Sequence, residues 1–187
     1  MGSVIRVEQA ADVDAIAAVV DAAFGSPYES QMVADIRASS DFVPELSLVA
    51  ELDGVVVGHV MVSYVGLRDG ERRHRIACLS PLAVEPAHQR RGIGSALVRD
   101  VVARCDARGE PFVVLEGSPA YYGRLGFEPS VPLGIRFTLP DWAPPEAAQI
   151  SRLRNYDPEI RGLVVYPKAV LDAIAADPDD QRTFAAE

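Results

Sequence analysis

Leu82-Ala83-Val84-Glu85-Pro86-Ala87-His88-Gln89-Arg90-Arg91-Gly92-Ile93-Gly94-Ser95-Ala96-Leu97 passes from apolar to polar and back to apolar within one short run. Its apolar start reads as the end of a strand near Val84, its middle as a loop, and its end as the opening of a helix near Gly92. Ile93, Leu97, Val98, Val101, Val102 and Cys105 carry that helix to Arg108 and cover about half its circumference, as a helix lying on a sheet should. A strand feeding a loop and then a sheet-covering helix is the core of an α/β protein.

The loop has its own chemistry. The first amides of a helix lack internal partners and carry partial positive charge, so a diphosphate can accept their hydrogen bonds. Gly92 and Gly94 have no Cβ, so phosphate oxygens are expected to approach the backbone there. Arg90 and Arg91 add charge beside the site in a chain whose net charge is -9. Two other phosphate motifs are excluded. A P-loop needs Gly-Lys-Ser/Thr, which is absent, and in a dinucleotide fingerprint Leu97 would stand where a third Gly or Ala belongs.

Upstream, Arg75 to Val84 reads as a strand holding Pro81, which cannot donate to a ladder and so belongs at an edge or a bulge. Before it, Leu46 to Leu52 and Val55 to Val65 are β-branched runs joined by Asp53-Gly54, a hairpin signal. Val4 to Val7 is a short first strand, and Ile16, Val19, Val20 and Ala23 recur at helical spacing between Asp12 and Phe24. Ser26, Pro27 and Glu29 read as the cap, first position and capping box of a second helix faced by Met32, Val33 and Ile36.

Downstream, Phe112 to Leu115 is continuously apolar and should be buried on both faces. A short helix over Pro119 to Leu125 ends at Gly126, and Phe127 enters another strand. Prolines then break up Glu128 to Glu146, with one strand near Ile135 to Leu139. Leu163 to Tyr166 reads as a last strand, Pro167 opens a helix through Ala176, and the acidic Asp177 to Glu187 reads as frayed. The whole is a mixed α/β sheet, antiparallel early and parallel in its middle. The expected division is a domain over residues 1–150 with a C-terminal strand–helix extension, 151–187, packed on it.

Bulk properties narrow the function. No apolar run approaches a membrane span, and the N-terminus lacks a signal-peptide layout, so a cytoplasmic location and no membrane partner are expected. The acidic balance disfavours nucleic acid and would weakly attract a cationic acceptor. Lys168 is the single lysine, and with abundant alanine this reads as a bacterial composition. Cys78 and Cys105 have no metal spacing and read as reduced core thiols; no metal is expected.

Gln89-Arg90-Arg91-Gly92-Ile93-Gly94 resembles the Gln/Arg-x-x-Gly-x-Gly/Ala signature of the GNAT N-acetyltransferase superfamily, with Leu82-Ala83-Val84-x-Pro86 before it and Ala96-Leu97 after it, as in many members. Ala120-Tyr121-Tyr122-Gly123-Arg124-Leu125-Gly126-Phe127 resembles that family's Tyr-x-x-x-Gly-Phe element. The resemblance implies the acyl-CoA N-acyltransferase fold: a mixed central sheet with helices on both faces and a splayed fourth and fifth strand. It implies acetyl-CoA as cosubstrate, bound by Leu82, Ala83, Val84, Gln89, Arg90, Arg91, Gly92, Ile93, Gly94, Ser95, Tyr122 and Arg124. It makes the Leu82 amide a donor to the thioester oxygen and Tyr122 the acid that protonates the leaving thiolate. Tyr121 reads as core or a cofactor wall.

The implied reaction is direct attack by an amine, with no covalent enzyme intermediate. For the base, Glu29, Glu51, His59, His74 and Glu116 are all conceivable, and Glu116 ranks first because it ends the buried strand beside the acyl site. Tyr28 and Glu29 lie where this family often binds its acceptor. The acceptor is expected to be a small-molecule or peptide amine, and a homodimer is one possible assembly. The alternative is a catalytically idle acyl-CoA sensor or scaffold of the same fold.

Overall fold

The structure, a computed structural model, describes residues 3–176. The acidic segment expected to fray lies outside the described residues. In chain order the elements are β1 (Val4–Val7), α1 (Val13–Phe24), α2 (Tyr28–Arg37), β2 (Ser47–Leu52), β3 (Val55–Asp69), β4 (Arg72–Val84) and α3 (Ile93–Arg108). There follow β5 (Phe112–Glu116), α4 (Pro119–Tyr122), β6 (Glu128–Pro129), β7 (Ile135–Arg136), β8 (Ala148–Arg152), β9 (Gly162–Val165) and α5 (Lys168–Ala176). The strands form one sheet in the order β1-β2-β3-β4-β5-β8-β6, with β9 on β3 and β7 on β9.

The antiparallel half follows from its turns. Asp53 and Gly54 both take positive φ, 51° and 82°, as a tight two-residue hairpin demands. The next ladder outruns its expected ends, closing at Asp69↔Arg72 around Gly70, whose φ is 57°. Asp69-Gly70 is a second turn signal, and the charged residues around it hid the strand ends because they show no apolar alternation. β2 leaves β3 after Met61, and beyond that point β9 takes its place, with Gly66↔Val165 and Arg68↔Leu163.

Two faces divide the core. α3 packs on one, where Leu97 and Val101 meet Leu82, Val84 and Leu115. On the other face, α1 and α2 cover Val49, Met61 and Ala83. Val164 and Ile135 from the C-terminal elements share that face with Cys78 and Val114. The second helix starts one residue later than its cap signal suggests: Pro27 precedes Tyr28, and the Ser26 hydroxyl donates to the Glu29 carboxylate instead of a backbone amide.

β8 is absent from the sequence expectation. It runs antiparallel to β5 from Glu116↔Ala148 to Phe112↔Arg152, and β6 flanks its far side. Its Ala-Gln-Ile-Ser-Arg sequence alternates apolar and polar over only four residues, and the alternation does not predict the burial: Gln149 and Ser151 are buried too, and the Gln149 amide donates to the Gly117 carbonyl at 3.0 Å. The expected division at residue 150 falls inside this strand, and the sheet is continuous across it.

The parallel pair β4–β5 is short. It holds only at Ala77↔Val113 and Cys78↔Val114. Past that point the β3 ladder slips, from Val62↔Leu79 to Val60↔Leu82, which leaves Ser80 and Pro81 as a bulge. A proline inside a long strand is accommodated there because its missing N–H removes no ladder bond. The two strands therefore part, as the splayed arrangement requires.

Candidate active site

The gap between β4 and β5 exposes backbone. The Glu85 amide donates to the Val57 carbonyl at 2.9 Å, which sets the ladder's phase. Ala83 then bonds toward His59 on β3, and the amides and carbonyls of Leu82 and Val84 point the other way, into the gap. Gln89 uses one of them, its side-chain amide donating to the Val84 carbonyl at 3.2 Å. Ala83 itself turns its backbone to β3 and its side chain to the α1–α2 face.

At the α3 end lies a cavity of about 350 Å³. Gln89, Arg90, Gly92, Ser95 and Arg124 line it, together with the buried Val84, Ile93 and Gly94. Its loop is conformationally unusual: Arg90 has φ 58° and Gly92 φ 84°. A non-glycine residue in the left-handed region is held there by its surroundings at a cost of about 1–2 kcal/mol, and such residues cluster at ligand clamps. Arg91 does not line the cavity; its guanidinium donates to His88 Nδ1 at 3.0 Å.

The two glycines have different jobs. A Cβ on Gly92 would meet nothing within 4 Å, so only its φ calls for glycine. A Cβ on Gly94 would lie 2.7 Å from the Tyr121 hydroxyl, 3.5 Å from Val84 and 3.7 Å from Leu82. The space a Cβ would need at Gly94 is thus taken by Tyr121, which also accepts from the Ser95 hydroxyl at 3.5 Å. Tyr121 lines the cavity, and the Arg124 guanidinium lies 5.8 Å from its ring centre. The sequence marks Tyr121 only by its place beside Tyr122 on a one-turn helix. His88 is a further lining residue that sequence reasoning missed.

Tyr122 is buried behind Tyr121, their rings edge-to-face at 5.0 Å, with Phe127 at 5.5 Å on its other side. A Cβ on Gly117 would stand 2.3 Å from the Tyr122 ring, so that glycine makes the ring's seat. The ring shares the apolar cluster of Leu82 and Val84, beside the gap.

Glu116 ends β5 just past the last β4–β5 pair. Leu115 packs under α3, so by strand alternation Glu116 points to the opposite face with Val114. Burial pushes its carboxyl above the ordinary glutamate range, against a hydrogen bond from Tyr166 that pulls it down. The other conceivable bases are engaged or remote. Glu51 is paired with Arg6 at 2.8 Å. His59 is fully buried, with Nδ1 3.2 Å from the Leu48 carbonyl, and desolvation pulls it down to about 4. His74 sits at the hairpin end of β4, ten residues before Val84. Tyr28 and Glu29 open α2, whose buried side chains pack on the same face that Glu116 points to. Burial holds the Cys78 thiol up at about 12, so it is no nucleophile. Among the described residues, no group of three or more His, Cys, Asp or Glu side chains could hold a metal ion, and no helix is long and apolar enough to cross a membrane.

A mixed sheet parted beside the N-terminus of a covering helix is the architecture of the acyl-CoA N-acyltransferases. The chain belongs to the GNAT acetyltransferase family, whose acetyltransferase (GNAT) domain model matches residues 4–130. It is 34% identical to the uncharacterized N-acetyltransferase YhbS of Escherichia coli K12 over 152 residues, which is 81% of this chain and 87% of that protein. It is 35% identical to the uncharacterized N-acetyltransferase YjhQ of the same strain over 63% of this chain, a match spanning 65% of YjhQ. The structure of E. coli YhbS in complex with CoA superposes with a TM-score of 0.81 at 30% identity, covering 91% of this chain and 93% of that one. A GNAT family acetyltransferase from Brucella melitensis, in complex with acetyl-CoA, gives 0.72 at 31% identity, covering 90% and 97%.

Proposed function

We propose that this protein transfers the acetyl group of acetyl-CoA to an amine by direct attack. The observation that carries the reading is an alignment along the β4–β5 gap. A helix N-terminus and a cavity lie at one end, the gap-facing backbone of Leu82 and Val84 in the middle, and Glu116 at the other. The CoA and acetyl-CoA held by the two structural relatives support the choice of cosubstrate.

In this reading the first amides of α3, with Arg90 and Ser95 beside them, hold the pyrophosphate. The gap-facing amides of β4 hold the pantetheine arm, and the Leu82 amide donates to the thioester oxygen as negative charge develops on it. The amine nitrogen bonds to the acetyl carbon as the carbon–sulfur bond breaks. Glu116 takes the proton the nitrogen loses, and Tyr122 gives one to the departing thiolate. Phenol and thiol have similar reference pKa values, about 10 and about 8.5, so that transfer is nearly balanced. Tyr28 and Glu29 form part of the acceptor's entry. The buried free thiols of Cys78 and Cys105 fit a reducing compartment such as the cytoplasm.

The test is release of free CoA thiol from acetyl-CoA with benzylamine, spermidine and an alanine-terminated peptide as acceptors. Amine-dependent thiol release is expected, with the acetylated amine found by mass spectrometry. Saturable acetyl-CoA binding without transfer to any of the three would leave a sensor and overturn the reading.

A further inference from the structure

This inference rests on Glu116 as the proton acceptor and concerns a residue beyond the 4–130 region that the family model matches. The Tyr166 hydroxyl donates to Glu116 Oε1 at 2.5 Å, joining positions 50 residues apart. Val165 is anchored opposite Gly66 on β3, and Tyr166 follows it into the sheet's face away from α3. There its ring packs against both the α1–α2 cluster and the cluster under β5, and it tilts against Phe137 at 6.2 Å. It thus reaches beneath β3 and β4 to the last residue of β5. We propose that Tyr166 is a positioning residue for acetyl transfer: it occupies one oxygen of Glu116, leaves the other for the acceptor's proton, and makes the β9–α5 segment part of the acceptor site.

The physical case has two parts. A glutamate side chain has three rotatable bonds, and an unanchored one loses much of its rotamer freedom to serve as a base. A hydrogen bond to one oxygen removes that freedom in advance. The same bond also stabilises the charged form of a carboxyl that burial would otherwise neutralise. Tyr166 itself stays a phenol, because burial and the neighbouring Glu116 and Cys78 push its own pKa well above 10. The titratable groups facing Glu116 are therefore Tyr166, from the β9–α5 connection, and Cys78, from β4. From β8 the facing residue is Ala148, which does not titrate.

Tyr166→Phe in the full chain removes one oxygen and keeps the ring. Two readouts are taken: the pH titration of Glu116 by carbon-13 NMR of δ-labelled glutamate, its signal assigned by loss in Glu116→Gln, and the pH profile of kcat/KM with the fastest of the three amines above. In Tyr166→Phe the Glu116 titration and the acid limb of the profile should both move to higher pH. kcat/KM at neutral pH should fall about tenfold, the scale of one hydrogen bond to a charged group, with acetyl-CoA affinity unchanged. Site-specific 3-fluorotyrosine at 166, a stronger donor that perturbs packing less, should move both to lower pH. If neither replacement moves the Glu116 titration, or if the titration moves while the acid limb stays, Tyr166 is a packing residue and the proposal is wrong. If instead Glu116→Gln keeps wild-type kcat/KM, the base assignment fails, whatever Tyr166 does to the titration.

Discussion

The two ends of the β4–β5 gap are built on different principles. At the α3 end, the cavity is lined chiefly by neighbours in sequence, six of them between Gln89 and Ser95, around a helix start whose first amides lack internal partners. At the other end, which we propose receives the acceptor, Glu116 and Tyr166 come from elements 50 positions apart and meet through their side chains. Backbone amides bind an anion in the same way whatever the acceptor is. Side chains gathered from distant elements can be exchanged without disturbing the cradle. On the proposed function, cosubstrate and acceptor recognition can therefore vary separately on this fold.

The largest effect should come from the acceptor end. Glu116→Gln is expected to lower kcat/KM by about 10²–10⁴, the usual contribution of a positioned base, while acetyl-CoA affinity by calorimetry stays constant. A parallel loss of affinity would break the separation between the two ends. Tyr122→Phe should lower kcat by about 10², again with affinity preserved, because it removes the proton and keeps the ring in its Gly117 seat. Wild-type kcat in this variant would make Tyr122 a wall only.

The cradle should answer in binding. Gly94→Val places a branched side chain where the Tyr121 hydroxyl sits, and overpacking of about 1–3 kcal/mol should weaken CoA about tenfold or more. Tyr121→Phe frees that space, so Gly94→Ala should cost less affinity in the Tyr121→Phe background than alone. Additive losses would show that Gly94 answers to the phosphate and not to Tyr121. The smallest effect belongs to Gly92→Ala, where only the left-handed φ is strained. A stability loss of about 1 kcal/mol, read as a melting temperature lower by about 2–4 °C, is expected.

The same contrast explains what could be read from the chain. The helix start and its cavity were legible because their determinants are local: Gly92, Gly94, Arg90 and the apolar stripe of α3 lie within one short stretch, though Arg91, read with them, turns to His88. Pro81 was legible as a bulge because proline's missing donor leaves few alternatives. β8 was not, because its burial comes from neighbours on both sides and not from its own hydrophobicity: Gln149 and Ser151 are buried polar residues with partners a sequence pattern does not show. Glu116 could be ranked from its place at a strand end. Tyr166 could only be read as the end of a strand, since its partner is fixed by β9 filling the place β2 vacates. Gly94 was recognised for its missing Cβ, but the occupant of that space, Tyr121, is a tertiary fact.

That vacated edge of β3 also sets a timetable. Gly66 waits for Val165, so about 100 residues must be made between the strand and its partner. At about 5–20 residues per second on the ribosome, that interval is roughly 5–20 s. The cradle leaves the tunnel well before β9 does. A nascent chain of this protein would therefore present the loop over residues 89–95 before Tyr166 exists to bond Glu116. A chain cut short ahead of β9 would end with the older half of the gap finished and the younger half unassembled.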